Sequence, residues 1–420
     1  MQLLVTHIKG LYGVADAPVV KRGAEMAVLP HIDNAWLLVE EGCIAAFGPM
    51  HQLPPAYASI RNRLDASGRL VLPAWCDSHT HLVFAYSREM EFIEKIKGAT
   101  YAEIAAKGGG ILNSARALQQ LTDDQLFNRA WSRLQEAAAL GTGAIEIKSG
   151  YGLTPESEIR MLRVIRRLQQ RSALTIKSTF LGAHAIPDPF RNNKEGYVRQ
   201  IIEEMLPPIA AEGLADFIDV FCENGFFTPD DLQRICRAAM VYGLKPKVHV
   251  NQLSSMGGLQ AALQLPALSA DHLEVMTPQD VADIAASNTI ATLLPTAAFF
   301  LRMPFQPARQ LLDAGAAVAL ASDCNPGSSP SLNMNLVVAM ACIGMRMLPE
   351  EAINAATLNG AFAMQAADVA GSITPGKHAN FIVTRPVPSL AYLPYAFGSN
   401  LIEQVYIRGQ LQPAPQPIAI

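Results

Sequence analysis

Two histidines separated by one residue, His79 and His81, follow a short apolar run at residues 71–76. Alternate side chains of an extended strand point the same way, so both imidazoles can be presented to one point in space. Imidazole nitrogens are common ligands of metal cations. The pair alone predicts half of a metal site, because short strands and loops also hold such pairs without a metal.

Other polar residues follow later apolar segments of the chain. Three histidines, His184, His249 and His272, end or follow strand candidates, and Asp323 ends the last of them. Three imidazoles and one carboxylate suit a cation such as Zn²⁺ or Fe²⁺, with one position left for water. The predicted ligands are His79, His81, His249 and Asp323.

A cation in this site would let its water ionise near neutral pH and act as a nucleophile. Asp323 can also take the proton from the attacking water, while His272 would orient that water or stabilise the developing charge. For His184 and His272 a second role stays open, since a histidine at a strand end can be a hydrogen-bonded group behind the ligands.

Lys148 ends another strand candidate, and its role is open. It can be a catalytic or carbamylated lysine of a two-metal site, whereas residues 150–152, Gly-Tyr-Gly, are more typical of a turn that shapes a substrate site. The glycines at 108–110 lack the spacing of a phosphate-binding loop. Arg88 and Glu89, taken alone, are typical of an ordinary surface pair.

These residues lie in a region where apolar strands alternate with helical stretches, the pattern of a parallel α/β domain. The eight strand candidates are Leu70–Ser78, Ala144–Lys148, Thr175–Leu181, Phe217–Cys222, Lys247–Val250, Leu268–Asp271, Ile290–Leu294 and Ala317–Ala321. The intervening helical stretches include Thr154–Gln170, Pro229–Tyr242, Gly257–Leu265, Pro278–Ala286 and Pro307–Ala314. The pattern predicts a closed (β/α)₈ TIM-like barrel with its chemistry at the carboxyl ends of the strands.

Both chain ends have a different, β-rich character. The strand candidates there are Gln2–Lys9, Trp36–Glu40, Cys43–Phe47, Leu64–Leu72, Ala379–Thr384 and Glu403–Arg408. Turns are predicted at residues 41–42 and 408–410. Neither end can bury its faces alone, so we expect the two to form one small β-sandwich domain. The predicted division is 1–68 and 375–420 for this domain and 69–374 for the barrel.

Composition excludes several function classes for this chain of 420 residues. It is 50% hydrophobic and 17% charged with a net charge of −4, which fits a large buried core and gives no basic surface for nucleic acid or for a membrane. No apolar run is long enough to span a bilayer, and the N-terminus lacks the pattern of a secretory signal. The six cysteines are scattered without a CxxC pair, which favours reduced thiols and a cytoplasmic location.

Two stretches resemble the metal-dependent amidohydrolase superfamily: residues 73–81, which end in the histidine pair, and residues 321–327, Ala-Ser-Asp-Cys-Asn-Pro-Gly. The resemblance extends over nearly the whole chain. Further matching stretches are residues 79–84 with Arg88 and 91–92, then 98–101, 108–111, 148–153, 179–184, 270–274 and 321–328. It implies a (β/α)₈ barrel and a β-sandwich assembled from both chain ends.

Within the superfamily the chain is similar to members that hydrolyse the ring amide of 4-imidazolone-5-propanoate to N-formimidoyl-L-glutamate in histidine degradation. The resemblance implies one Zn²⁺ or Fe³⁺ ion on the four predicted ligands. The predicted catalytic residues are Asp323, His272 and Gln252. The residues implied to contact substrate are Arg88, Tyr151, His184 and Gln252, with Asn325, Gly327 and Ser328 on the product's carboxylate or ring side. A guanidinium at Arg88 can hold the propionate with two hydrogen bonds.

One position departs from the superfamily pattern. After the histidine of the fifth strand, members usually have Ala-Asp followed by Glu or Gln, whereas this chain has Val250, Asn251 and Gln252. Many members carry Glu at the last position, with a water-activating role. A glutamine cannot accept a proton, so that work passes to Asp323 or His272, and Gln252 only hydrogen-bonds the substrate.

Two alternative functions stay open at this point. A related deaminase acting on a nitrogen heterocycle would use the same barrel and ligands, but it needs no carboxylate clamp at Arg88 and it releases ammonia. A non-catalytic assembly protein would keep the barrel and lose ligands, whereas this chain retains all four. The expected partners are the small-molecule substrate and a second copy of the chain in a homodimer, with no nucleic acid or membrane.

Overall fold

The fold is seen in a computed structural model that describes residues 2–99, 103 and 109–413. Three residues of the matching stretches, Thr100, Tyr101 and Gly108, lie outside this range, as does the end of the predicted C-terminal segment, residues 414–420.

The N-terminal region forms five strands, which are β1 Gln2–Tyr12, β2 His31–Glu40, β3 Cys43–Pro49, β4 Arg63–Asp65 and β5 Leu70–Pro73. The chain reverses between β2 and β3 at Glu41 and Gly42, whose φ angles are 47° and 79°. Positive φ at both central residues is the geometry of a tight hairpin turn that matches strand twist, and glycine adopts it without steric cost. The turn predicted at 41–42 is therefore present.

Eight parallel strands follow in sequence order and form the barrel. They are β6 Trp75–Asp77, β7 Thr142–Lys148, β8 Thr175–Ala183, β9 Phe217–Cys222, β10 Lys245–Val250, β11 Ser269–His272, β12 Ile290–Leu293 and β13 Val318–Leu320. Nearly all their residues are buried, as expected for parallel strands covered on both faces. The first and last strands meet just beyond their ends, where His81 N donates to Cys324 O at 2.9 Å and Asp323 N donates to His79 O at 3.0 Å.

Helices connect and surround the barrel strands. Those of the βα connections are Glu89–Ile96, Ile111–Gln119, Asp123–Ala139, Pro155–Arg171, Lys194–Gln200, Leu206–Ala211, Pro229–Val241, Gly258–Leu263, Pro278–Ala285, Pro295–Leu301 and Ala308–Asp313. Those after the barrel are Met334–Met345, Pro349–Asn354, Gly360–Ala363 and Tyr392–Tyr395. Several start at a Thr-Pro pair; Thr228 and Thr277, for example, cap the backbone N–H three residues on while proline takes the first helical position. Among the described residues, none of the helices combines the length and the hydropathy that a membrane crossing requires.

The chain ends come together in a second sheet. Its C-terminal strands are β14 Phe381–Thr384, β15 Ile402–Ile407 and β16 Gln410–Leu411, and the strand order is β16-β15-β14-β5-β1-β2-β3 with β4 beside β1. Residues on the two faces of this sheet belong to two different buried clusters, as Leu3 and Leu4 illustrate. Pairing of the two ends is confirmed, while the division at residues 68 and 374 stays a prediction.

Two strand candidates at the junction were wrong in extent. Leu70–Ser78 is two strands, because β5 pairs with β1 and β14 in the terminal sheet and only Trp75–Asp77 enters the barrel. Between them Ala74 N donates to Asn380 O at 3.0 Å, so the chain changes sheets at this residue. Leu64–Leu72 is broken by a turn at residues 66–69, where Gly68 has a φ of 74°.

Candidate metal centre and active site

A cavity of about 320 Å³ opens at the carboxyl ends of the barrel strands. All the predicted site residues line it except His79, whose side chain is fully buried behind its wall. Those lining residues come from six different strand ends and from the connection after β6. The barrel therefore brings together residues as distant in sequence as His81 and Ser328.

Two of the predicted ligands are oriented by buried carboxylates. His79 Nδ1 lies 2.7 Å from Asp271 Oδ2, and His249 Nδ1 lies 2.8 Å from Asp219 Oδ2. Because an ionised carboxylate only accepts, both Nδ1 atoms donate. Each Nε2 atom then carries a lone pair, and the partner on Nδ1 fixes the direction in which it points.

The third imidazole and the carboxylate complete a tight group. His81 Nε2 lies 3.2 Å from His249 Nε2 and 3.5 Å from Asp323 Oδ1, which is also 3.5 Å from His79 Nε2. The donor atoms of the three histidines lie within 4.8 Å of one another. The structure thus places the four predicted ligands around one point.

The electrostatic environment keeps these imidazoles neutral. Burial, reinforced by neighbouring cationic groups, lowers the pKa of His79 and His81 well below the usual value and also lowers the pKa of His249. Among the described residues, His79 Nε2 is buried with no hydrogen-bond partner. A buried lone pair without a donor is unfavourable, and a cation bound by several such nitrogens removes that cost. The donor set of three neutral imidazoles and one carboxylate therefore fits a metal ion.

Asp323 occupies an unusual backbone position for a carboxylate residue. Its φ is 52°, in the left-handed region, and its main chain accepts from Asn325 Nδ2 at 2.7 Å. Burial raises the pKa of Asp323 to about 7, although the nearby His272 opposes that shift. A carboxyl group with this pKa can take up and return a proton near neutral pH.

His272 is the last residue of β11 and also has a positive φ, of 87°. Its Nδ1 lies 3.3 Å from Glu274 Oε1, which also accepts from Gln306 Nε2 at 2.9 Å. Burial lowers the pKa of His272, but Glu274 and the other nearby carboxylates outweigh burial and leave the pKa raised. Non-glycine residues at positive φ are held there by their surroundings and cluster at functional sites.

Lys148 lies beneath the ligands and does not line the cavity. Its Nζ contacts Glu146 Oε1 at 2.7 Å, Asp219 Oδ2 at 2.9 Å and Asp271 Oδ2 at 3.7 Å. Burial alone would lower the pKa of Lys148, but these carboxylates raise it above its usual value. Carbamylation and nucleophilic attack need a neutral amine, so the geometry does not support the catalytic or carbamylated role.

The predicted clamp Arg88 lies at the cavity wall beside Glu91. Its Nε and Nη2 donate to Glu91 Oε2 at 2.8 and 2.6 Å. Its Nη1 lies so close to Gly327 that a Cβ added to this glycine would come within 2.5 Å of the nitrogen. Arg88 is thus a partly buried, oriented cation rather than a member of a surface pair.

Two further predicted residues pack against the imidazoles. His184 stacks on His81 with ring centroids 5.1 Å apart and interplanar angle 17°, and its Nδ1 lies 2.9 Å from Gly150 O. Burial, with help from nearby His249, lowers the pKa of His184 to about 3. Tyr151 lies 5.3 Å from His184 between ring centroids. Neutral His184, donating through Nδ1, keeps Nε2 as an acceptor.

Gln252 lines the cavity on a segment held by Glu223, the residue that directly follows β9. Glu223 Oε2 accepts from the backbone N–H of Leu253 at 2.8 Å and of Ser254 at 3.2 Å, and Glu223 also bonds the Ser254 hydroxyl. Glu223 therefore anchors this loop and fixes the backbone beside Gln252.

The last predicted group, Asn325 to Ser328, forms a tight turn. Asn325 Oδ1 accepts from the backbone N–H groups of Gly327 and Ser328, both at 2.8 Å, while its Nδ2 donates to Ser328 Oγ at 2.8 Å. Both ends of the Asn325 amide are thus used inside the turn. The turn holds Gly327 against Arg88 and presents Ser328 to the cavity.

Sequence reasoning missed several residues of this site. Glu146 and Asp219 lie inside barrel strands, where only residues at the strand ends had been assigned roles, and Asp271 ends the strand candidate Leu268–Asp271 but was assigned none. For Glu146 and Asp219 the signal was available, because each is a charged residue inside a mostly apolar strand that must be buried on both faces. Glu91 and Glu274 carried no such signal, since their roles depend on which side chains they meet in space.

Comparison with known proteins gives a consistent result. The model of the amidohydrolase family matches residues 70–411. The chain is 52% identical to the imidazolonepropionase of Christiangramia forsetii over 412 residues, covering 98% of this chain and 100% of that protein. It is also 52% identical, over the same length and shares, to the imidazolonepropionase of Flavobacterium johnsoniae. Among solved structures, a triazine hydrolase variant superposes with a TM-score of 0.74 at 15% identity over 100% of this chain and 96% of the other, a likeness that concerns the fold alone.

Proposed function

Because the chain belongs to the amidohydrolase family, and within it to the imidazolonepropionases, we propose that it hydrolyses 4-imidazolone-5-propanoate to N-formimidoyl-L-glutamate. It is a hydrolase that acts on a cyclic amide C–N bond, and its family is metal-dependent. The observation that carries the proposal is that Arg88 and three predicted ligands, His81, His249 and Asp323, line one cavity. The substrate's carboxylate and its ring amide can therefore be engaged together.

We assign the metal ligands as His79, His81, His249 and Asp323, and the ion as one Zn²⁺ or Fe³⁺. Three imidazole nitrogens and a carboxylate oxygen suit such borderline cations. When bound, the ion polarises the ring carbonyl and lowers the pKa of a water molecule. Asp271 and Asp219 support this assignment, since they direct Nε2 of His79 and of His249 toward the shared centre.

Arg88 binds the propionate in this proposal. Its Nε–Nη2 edge is taken by Glu91, so Nη1 and the outer side of Nη2 are the donors left for a substrate carboxylate. The guanidinium is planar and cannot lose its proton at physiological pH, so the bound carboxylate meets a fixed pair of donors. Holding the propionate at one end of the cavity places the ring at the other end, near the ligands.

Proton transfer is assigned to Asp323 and His272. Asp323, whose carboxylate lies 3.5 Å from Nε2 of His79 and of His81, accepts the proton released when water adds to the ring carbonyl and returns it to the ring nitrogen as the C–N bond breaks. His272, whose pKa is raised by Glu274, donates a hydrogen bond to the negative charge that develops on the carbonyl oxygen. Over the whole reaction one proton of the water goes to the leaving nitrogen, and its oxygen with the other proton goes to the carbonyl carbon, which gives a carboxylic acid that ionises at neutral pH.

The remaining residues orient the ring. His184 and Tyr151 face the cavity beside His81, and Gln252 offers one donor and one acceptor to a ring amide. Gln252 cannot take a proton, so it acts by hydrogen bonding alone. Gly327 lies against Arg88 and Ser328 lies beside Asp323, while Asn325 holds the turn that contains both residues.

Purified protein incubated with freshly prepared 4-imidazolone-5-propanoate tests the proposal. The substrate's ultraviolet absorbance should fall and formimidoylglutamate should appear in equal amount, without ammonia. Removal of metal with a chelator should abolish turnover, and added Zn²⁺ or Fe³⁺ should restore it. Full activity in the exhaustively metal-free protein would contradict the proposal, and release of ammonia from a heterocycle would favour a deaminase instead.

We also propose a homodimer and a cytoplasmic location. All six cysteines are free thiols, which supports a reducing compartment. Symmetric dimers are the commonest assemblies of soluble enzymes. Light scattering coupled to size-exclusion chromatography checks the first point, since a monomer near 45 kDa would contradict it.

A further inference from the structure

A buried lysine connects two parts of the candidate metal centre. Lys148 is the last residue of β7, and its side chain has no exposed surface. A buried ammonium group is costly unless it is paired and hydrogen-bonded. Its partners are Glu146, Asp219 and Asp271, all fully buried as well.

The oxygens that Lys148 contacts are the ones that orient two ligand imidazoles. Asp219 Oδ2 lies 2.9 Å from Lys148 Nζ and 2.8 Å from His249 Nδ1. Asp271 Oδ2 lies 3.7 Å from Lys148 Nζ and 2.7 Å from His79 Nδ1. One ammonium group therefore lies between the two carboxylates that set the directions of both imidazoles.

We infer that Lys148 is a positioning residue for the metal centre. It holds the Oδ2 atoms of Asp219 and Asp271 in place, so that Nε2 of His249 and of His79 converges on the ion. The inference rests on the proposed function, since it takes these two histidines as ligands.

Charge balance gives the physical reason. Without a cation between them, three buried carboxylates this close together would repel one another and turn apart. Lys148 Nζ holds them in place through its contacts with Glu146 Oε1 at 2.7 Å and Asp219 Oδ2 at 2.9 Å. A carboxylate of Asp219 that had rotated away would no longer accept from Nδ1 of His249 and fix the direction of that ring.

The same barrel interior contains a matched control. Lys247 is also fully buried, and its Nζ contacts Glu146 Oε2 at 3.1 Å, Ser269 Oγ at 2.8 Å and Ala363 O at 2.9 Å. Its charged partner among the described residues is Glu146, which bonds neither histidine. Lys247 meets Asp271 through Ser269, whose hydroxyl donates to Asp271 Oδ1 at 2.5 Å, and not through the Oδ2 atom that His79 uses. Removing Lys247 therefore disturbs the buried charges but leaves the direct contacts of the two Oδ2 atoms in place.

The test compares Lys148→Met with Lys247→Met. Zn²⁺ is titrated into each metal-free protein in competition with a chromophoric chelator, and the visible absorption spectrum of the Co²⁺ form is recorded. Lys148→Met should weaken Zn²⁺ binding by about 10- to 100-fold, the usual effect of losing a group that orients a ligand, and should change the Co²⁺ spectrum. Lys247→Met should weaken Zn²⁺ binding less than Lys148→Met does and should leave the Co²⁺ spectrum unchanged. Circular dichroism of the metal-free proteins establishes that each variant is folded.

A second comparison tests whether Lys148 affects metal binding through Asp219 and Asp271. In an Asp219→Asn/Asp271→Asn background, Lys148→Met should cause no further loss of Zn²⁺ affinity. Equal losses in the two lysine variants, no loss in Lys148→Met, or a further loss in the double-Asn background would overturn the inference. If Lys148→Met does not fold, the Zn²⁺ affinity of Asp219→Asn is measured instead. Unchanged Zn²⁺ affinity in Asp219→Asn would also overturn the inference. Failure of the wild-type protein to bind one Zn²⁺ would instead contradict the proposed function.

Discussion

Arg88 donates two hydrogen bonds, from Nε and Nη2, to a single oxygen of Glu91 three residues later. Burial raises the pKa of Glu91, but Arg88 and the backbone N–H of Gly110 outweigh burial and leave the pKa lowered. The pair is therefore ionised at neutral pH. Glu91 occupies one edge of the guanidinium and leaves the other edge toward Gly327 and the cavity.

Arg88→Ala should weaken substrate binding much more than folding. Charge-assisted hydrogen bonds contribute about 1.5–3 kcal/mol each, so the loss of one alone should raise KM by about 10- to 100-fold, and the loss of both by more, with little change in kcat. The thermal unfolding temperature should move little, because Arg88 lies at the cavity wall. Steady-state kinetics and a melting curve check both parts, and an unchanged KM would remove Arg88 from the role of clamp.

Gly327→Ala should displace the clamp without altering the turn. The added Cβ would come within 2.5 Å of Arg88 Nη1, the far end of a flexible side chain, so the guanidinium should move and KM should rise. Gly398→Ala is the control, because nothing lies within 4 Å of the Cβ it would add. Equal KM values for the two variants would show that the close approach to Arg88 does not matter.

His272→Asn should lower kcat by about 10²- to 10⁴-fold, the usual contribution of a positioned acid or base. Asparagine tolerates the positive φ of 87° at this position, so the backbone should be retained. KM should change little because the propionate is held elsewhere. A variant with wild-type kcat would exclude His272 from the chemical step, and Gln252→Ala, expected to raise KM instead, provides the comparison.

Metal binding should release a proton from Asp323 below neutral pH. In the metal-free protein burial raises the pKa of Asp323 to about 7, so the group is mostly protonated at pH 6 and must lose that proton to become a ligand. The lowered pKa of His79, His81 and His249 means that these groups are already neutral. Affinity for Zn²⁺ should therefore rise with pH up to about 7 and then level off.

Calorimetric titrations of Zn²⁺ in buffers of different ionisation enthalpy count those protons. At pH 6 the wild-type protein should release about one proton more than Asp323→Asn, and at pH 8 the two should agree. Equal proton release at pH 6 would mean that Asp323 does not titrate in this range.

The sequence allowed the barrel and most of the cavity to be predicted because parallel strands end at one face. A polar residue that ends an apolar strand must then lie near its counterparts, which is how His249 and Asp323 could be joined to His79 and His81. Strand ends carry this information without any knowledge of packing.

Other features needed the three-dimensional structure. Asp219 Oδ2 contacts both Lys148 and His249. This shared contact depends on the register of neighbouring strands, which side-chain alternation does not specify. The change of sheet at Ala74 was not predicted because residues 70–76 form one continuous apolar run in the sequence. The pairing of Arg88 with Glu91 was not predicted either, since Arg88 taken alone had been grouped with its neighbour Glu89.

The pairing of β5 with β14 has a consequence for the order in which the protein can mature during synthesis. Phe381 and Pro73 are partners in this pairing, so β5, which precedes the first barrel strand and the histidine pair, gains this partner only after about 300 further residues have left the ribosome. Until then this edge of β5 has no partner strand, and its closure is a long-range step. The terminal sheet is therefore among the last features of the fold to be completed.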